Sequence, residues 1–97
     1  MKLVWHIQAR EELREALLYY RDNAGQTIAE DFNAAVMRVV NQLLRFPELG
    51  SRTGDSARHF PLHDYPYSLV YRVGLNGINI IAVANQSRRP GYWAGRR

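Results

Sequence analysis

Along this chain the spacing of apolar residues changes twice, and few folds accommodate the resulting order. Leu3 to Ile7 form a short apolar run that predicts a first strand. From Ala9 the period becomes helical, with Ala9, Leu13, Ala16, Leu17 and Tyr20 on one face and Arg10, Glu11, Arg14, Glu15 and Asp22 on the other. Asn23-Ala24-Gly25 predicts the end of that helix, because Gly takes a left-handed C-cap conformation without steric cost. Thr27 and Glu30 have the capping-box spacing and predict an immediate restart. The second helix carries the stripe Ile28, Phe32, Ala35, Val36, Val39, Leu43 and Phe46 and stops at Pro47 and Gly50. Two amphipathic helices joined this closely make an antiparallel hairpin.

After a polar loop at 50–57 the runs Arg58 to Leu62, Tyr67 to Val73 and Ile78 to Ala84 predict strands, with Gly74-Leu75-Asn76-Gly77 as a tight hairpin turn. Pro61 and Pro66 suit strand edges and connections. The order predicts one α+β domain over residues 1–97: an N-terminal strand and a helical hairpin packed on a small, mainly antiparallel sheet. Both faces of Ile78 to Ala84 are largely apolar, so the pattern leaves open which face meets the helices. With 97 residues the core must be compact, and the absence of Cys removes a disulfide scaffold, a thiolate zinc site and a cysteine nucleophile together. No apolar run reaches the roughly 18 residues of a membrane span, and the N-terminus lacks a signal-peptide pattern. The expectation is a cytoplasmic protein.

Most candidates for chemistry are weak. His59 and His63 are four apart, but Pro61 between them forbids the helical geometry that would aim both at one metal. Glu11, Glu12 and Glu15 sit among Arg10 and Arg14 and are expected to be a solvated helix face. No hydrolase, nucleotide or dinucleotide motif occurs, and no metal or cofactor is expected. Tyr67 and Tyr71 share a strand face with Leu69 and Val73 and are expected to be buried aromatics. Arg72 points to the opposite face, where its guanidinium must find a partner or water.

Charge is distributed unevenly. Residues 1–50 carry six basic and seven acidic side chains, whereas 51–97 carry seven basic, all Arg, and two acidic. A basic half of this kind points to a nucleic acid or an acidic protein as partner. The density peaks in the tail, where Arg88, Arg89, Arg96 and Arg97 accompany Tyr92 and Trp93. Arg pairs with phosphate or carboxylate, while the rings stack on bases or bury against protein. Tyr92 and Trp93 are adjacent and point in different directions. Trp93 is expected to anchor the tail on the sheet and Tyr92 to face a target.

The runs L-V-Y-R-V (69–73) and G-I-N-I-I-A-V-A (77–84), then R-x-P-x-Y-W-x-x-R from Arg88 or Arg89 onwards, resemble the ParE/RelE superfamily of type II toxins, as do F-P-E-L-G (46–50) and A-R-E-E-L (9–13). The resemblance implies a growth-inhibiting toxin held inactive by an acidic antitoxin in a hetero-oligomer. ParE-like members bind DNA gyrase; RelE-like members enter the ribosomal A site and cut mRNA. In the cutting pattern an Arg stands three positions before the strand Tyr, which here is Ser68, and further lysines add charge, whereas this chain has only Lys2. Arg88 and Tyr92 match the later part of that pattern, and Asn85 stands where many relatives carry His. The ParE-like alternative is therefore favoured, with Arg72, Asn85, Arg88, Arg89, Tyr92, Trp93 and Arg96 as target or antitoxin contacts. In the nuclease alternative Arg72, Arg88 and Tyr92 would touch the scissile phosphate. The antitoxin's bound segment is expected to place carboxylates near Arg72, Arg88 or Arg89 and aliphatic side chains in a groove of the helical hairpin.

Overall fold

A computed structural model describes residues 1–54 and 56–97. The elements follow in the order β1 (Lys2–Trp5), α1 (Ile7–Ala24), α2 (Gln26–Arg45), β2 (Ser51–Thr53), β3 (Ala57–Pro61), β4 (Tyr67–Val73) and β5 (Gly77–Asn85). The strands form one sheet in the order β1-β5-β4-β3-β2, in which β1 runs parallel to β5 and the other pairs are antiparallel. This is the expected α+β arrangement, with a helical hairpin against one face of the sheet.

Several boundaries differ from the sequence pattern, each for a local reason. The first strand ends at Trp5 and the helix starts at Ile7, because His6 acts as N-cap: its backbone is extended and its Nδ1 accepts from Gln8 N at 3.0 Å. Histidine is outside the usual capping set, so the start was hidden. The Thr27–Glu30 capping box does not form. Gly25, at φ 98°, both ends α1 and begins α2, and its carbonyl accepts from Ala29 N at 3.2 Å. One residue serving as elbow leaves Thr27 already inside the helix. The buried stripe of α2 keeps Phe32, Val36, Val39 and Leu43 but uses Ala29 and Val40 in place of the outward-facing Ile28 and Phe46. The supposed loop at 50–57 contains β2, a polar edge strand paired to β3. Its one-sided pairing asks for no apolar alternation, so composition concealed it.

Both faces of the sheet are buried. Tyr67, Leu69 and Tyr71 of β4, with Ile78, Ile80 and Val83 of β5, pack beneath the helices. On that side Phe32 of α2 lies 5.0 Å, ring to ring, from both Tyr20 and Tyr65. Tyr71 is fully buried as expected, and its hydroxyl donates to Pro47 O at 2.7 Å and accepts from Gly50 N at 2.8 Å. A bulge explains the apolar character of β5 on both sides. Val70 pairs with Ala82 while Tyr71 pairs with Ile80, so Ile81 is an extra residue. Ile81 and the adjacent Ala82 then share the outer face with Val70 and Ala57.

The hairpin between β4 and β5 closes with Gly74 N donating to Gly77 O at 2.8 Å, and neither Asn76 nor Gly77 has a positive φ. Gly77 is needed for contact instead. A Cβ there would lie 1.9 Å from Lys2 O in the neighbouring β1. Gly77→Ala is expected to push β1 off the sheet and cost about 1–3 kcal/mol, the range for overpacking a fitted site. Urea denaturation would show it as a lowered midpoint with an unchanged slope.

Candidate functional site

The tail does not form a helix. After β5 it makes turns in which Tyr92 N, Ala94 N and Arg96 N donate to Arg89 O, Gly91 O and Trp93 O. This path lays Trp93 on the outer face of the sheet, against Ala57, Val70, Ile81 and Ala82, with only 7% of its surface exposed. The indole covers the face that the helices leave open. The anchoring role expected of Trp93 is what the geometry displays.

Tyr92 is only partly buried, but its hydroxyl is not directed at solvent. It donates to Glu12 Oε2 at 2.8 Å. Burial first, then this bond to a carboxylate, pushes the phenol far above its ordinary range, so Tyr92 keeps its proton throughout the physiological interval. Two guanidinium groups lie against its ring, Arg88 at 4.0 Å and Arg96 at 5.1 Å from the centroid.

Glu12 corrects the expectation of a solvated carboxylate face. Glu11 and Glu15 are exposed, whereas the Glu12 side chain is 13% exposed and the Arg96 side chain facing it 11%. The two form a fork, Nη1 to Oε1 at 2.8 Å and Nη2 to Oε2 at 2.9 Å. That bond, more than any charge further off, raises the Arg96 pKa, so the guanidinium stays charged.

The pair has a second task. β1 stops at Trp5, opposite Ile80, which leaves the remaining edge of β5 with no strand beside it. Val83 N donates to Glu12 Oε1 at 3.0 Å, and Arg96 Nη1 donates to Ile81 O at 3.0 Å. An ion pair thus takes the place of a neighbouring strand and satisfies backbone groups that burial would otherwise penalise. Residue type alone does not separate Glu12 from Glu11 and Glu15. The available signal was the helical stripe itself, since Glu12 lies beside Leu13 and one turn before Ala16, at the edge of the buried face.

The remaining predicted residues divide between internal roles and free surface. Arg72 lies on the outer face, as its strand position requires, and finds partners within the chain: Nη1 donates to Arg96 O at 2.6 Å and Nε to Ser56 Oγ at 3.1 Å. Arg96 is therefore held by its side chain and by its backbone. Asn85 closes β5 with a turn in which its Oδ1 accepts from Ser87 N at 2.9 Å and Ser87 Oγ at 2.7 Å. Arg88 and Arg89 are exposed, and neither forms an ion pair among the described residues. The structure thus brings Arg72, Tyr92, Trp93 and Arg96 together as an anchor, with Arg88 and Arg89 presented on the loop that the anchor fixes.

A sequence profile for the ParE toxin of the type II toxin–antitoxin system, parDE, matches residues 3–90. That stretch contains Glu12, Arg72, Asn85, Arg88 and Arg89 and stops before Tyr92. No curated protein sequence matches the chain. Among solved structures, a chain of the "Chromosomal ParDE TA system from P. aeruginosa" superposes with a TM-score of 0.78 at 22% identity, covering 88% of this chain and 95% of that one. At that identity the likeness speaks for the fold, and the profile speaks for the family. A helical hairpin on a five-stranded sheet, with a profile match across nearly the whole chain, makes this protein a member of the ParE toxin family of type II toxin–antitoxin systems.

Proposed function

We propose that this toxin acts in the cytoplasm by binding DNA gyrase, without cutting a substrate, and that a cognate acidic antitoxin neutralises it in a hetero-oligomer. No described helix is long and apolar enough to cross a membrane. The observation that carries binding over cleavage is where Arg72 and Tyr92 are engaged. Two of the three residues that a cutting site would use are tied to Arg96 O and to Glu12. A phenol held protonated against a carboxylate is a poor proton acceptor. Arg88 and Arg89, on a loop fixed by Trp93, Arg96 and Glu12, are the cations left to meet a partner surface. Arg is enriched at such interfaces, and a fixed loop loses little entropy on docking. For the antitoxin, the outer groove of the helical hairpin offers Leu17, Leu18, Ala29 and Ala34 with Arg14 and Arg21 at its margin, in a volume of about 370 Å³. Arg14 and Arg21 are paired with Glu11 and Asp22, and Glu30 also lines the groove, so it suits aliphatic side chains.

The alternative, ribosome-dependent mRNA cleavage, has one observation in its favour. On the outer face a cleft of about 320 Å³ is lined by His59, Ser68, Arg88 and Arg89, an imidazole with two guanidiniums. Purified toxin added to gyrase with relaxed plasmid, and separately to translating ribosomes, decides between the two. Loss of supercoiling with intact mRNA is the expected result. Cut mRNA, abolished by His59→Ala, would overturn the gyrase reading.

Tyr92→Phe adds a second test. It removes one of four donors to Glu12 and keeps the ring's contacts with both guanidiniums, so stability should fall by about 1–2 kcal/mol. Growth inhibition from an inducible promoter should persist. A well-folded but harmless Tyr92→Phe would favour the nuclease alternative.

A further inference from the structure

The ion pair of Glu12 and Arg96 closes one stretch of the sheet's edge, but the stretch beside it is open. At the two ends of β1 the N–H groups of Lys2 and His6 donate to Asn76 O and Ile80 O, each at 2.8 Å. The even-numbered residues therefore turn their main-chain groups towards β5, and Leu3 and Trp5 turn theirs away from it. β1 is the last strand of the sheet, so these groups have no main-chain partner among the described residues. The devices that usually blunt such an edge are missing from Lys2–Trp5. It has no proline and no bulge, and its single charge is Lys2 at the first position. The opposite edge, β2, is a residue shorter and carries Arg52 at its centre.

Apolar side chains surround the open edge. Leu3 and Trp5 pack into the core beneath the helices, which leaves Val4 on the outer face, 46% exposed. Met1 and Ile7, on either side of the strand, are exposed as well. This pattern reads alike in both directions about Val4. With the strand set antiparallel to a copy of itself and Val4 against the partner's Val4, Leu3 falls opposite the partner's Trp5. Lys2 then stands opposite the partner's His6, and Met1 comes beside the partner's Ile7. Each pairing of Leu3 with the partner's Trp5 exchanges two N–H···O bonds, and the two-fold axis repeats it. Every outward main-chain group of both strands is used. A shift of one residue turns outward groups of one strand against inward groups of the other. A shift of two sets Trp5 or Leu3 opposite a residue outside Lys2–Trp5. Charge does not oppose the match, because Lys2 and the partner's Lys2 lie about 13 Å apart along the strands at ~3.3 Å per residue. That exceeds the Debye length of about 8 Å.

We propose that β1 is a self-association edge, through which two copies of the toxin pair antiparallel about a two-fold axis at Val4 and join their sheets into one. The occupant is a second copy because the match is self-complementary. Open main-chain groups alone would accept any strand, whereas here the apolar residues beside them also meet apolar residues of the same sequence. A strand pair this short buries less than the roughly 1,200–2,000 Å² of a stable interface, so the dimer forms and dissociates with concentration.

The chain has no Cys, so a single introduced thiol reports the axis. In this register Val4 and the partner's Val4 form a non-hydrogen-bonded pair with Cα atoms about 4.5 Å apart, within disulfide range. Purified Val4→Cys is expected to oxidise to a covalent dimer at least tenfold faster than Lys2→Cys, or than Met37→Cys, which is exposed on α2. Sedimentation of the wild type should show a monomer–dimer equilibrium. Val4→Lys, which brings two ammonium groups to the axis, should raise the dissociation constant at least tenfold, with melting curves to show that the variant is folded. If Val4→Lys does not fold, the oxidation rates decide. Equal rates for the three thiol variants, or a wild type that stays monomeric as concentration rises, would overturn the proposal. A dimer indifferent to Val4→Lys would place the interface elsewhere and overturn it as well. Loss of antitoxin binding in Val4→Lys, with self-association intact, would overturn it in favour of a strand supplied by the antitoxin.

Discussion

Trp93→Ala is expected to lower stability by about 3–5 kcal/mol, the range for truncating a buried Trp. The indole is 7% exposed and packs with residues from three strands, Ala57 of β3, Val70 of β4 and Ile81 and Ala82 of β5. Its removal leaves the outer face of the sheet to water, and no other large side chain from the tail can replace it. For a domain of this size each kcal/mol corresponds to roughly 4–8 °C, so the melting temperature should fall by about 12–40 °C. The same substitution frees the loop carrying Arg88 and Arg89, so growth inhibition should fall even where the variant is still folded. Thermal melts followed by circular dichroism, with colony counts at 25 °C and 37 °C, separate the two effects. A melting temperature within a few degrees of wild type would show that the tail is not anchored by Trp93.

Regular elements were legible because their hydrophobic period is enforced by burial on one side. Tyr67–Val73 is read off the alternation to the residue, and the stripe Phe32, Val36, Val39, Leu43 off the helical repeat. What escaped were features whose signal is not periodic. His6 caps a helix through Nδ1, β2 is held on one edge by β3 alone, and the bulge at Ile81 places two neighbours on one face. The candidate site was half legible for a related reason. Residue type showed that the tail matters, and adjacency showed that Tyr92 and Trp93 must diverge. It could not show that Arg72, Tyr92 and Arg96 would find partners within the chain, because the carboxylate that gathers two of them lies 84 residues from Arg96 in sequence. The helical repeat sets Glu12 at the edge of the buried face, apart from Glu11 and Glu15, but only the folded tail supplies its partners.

That carboxylate gives the other large effect. Breaking a buried ion pair by removing one partner costs about 3–5 kcal/mol, because the remaining charge is stranded. Glu12 and Arg96 are both nearly enclosed, so solvent screening reduces this little. The two truncations should nevertheless differ. Glu12→Ala strands the Arg96 guanidinium, the Tyr92 hydroxyl and the Val83 amide together. Arg96→Ala leaves the Glu12 carboxylate without its cation but with two donors, Val83 N and Tyr92, and orphans the carbonyl of Ile81. Glu12→Ala is therefore expected at the upper end of the range and Arg96→Ala at or below its lower end. The double variant Glu12→Leu/Arg96→Leu tests the strand-edge role. An isolated buried pair can often be replaced by apolar residues at no cost. Here the pair also satisfies the edge of β5 beyond Trp5, and leucine can neither accept from Val83 N nor donate to Ile81 O. Two orphaned backbone groups at about 1–3 kcal/mol each should keep the double variant clearly below wild type in urea denaturation. Hydrogen exchange at the Val83 amide should accelerate in Glu12→Ala and in the double variant but remain slow in Arg96→Ala. If the leucine pair restored wild-type stability, the ion pair would be holding the tail alone, and the edge of β5 would need no partner.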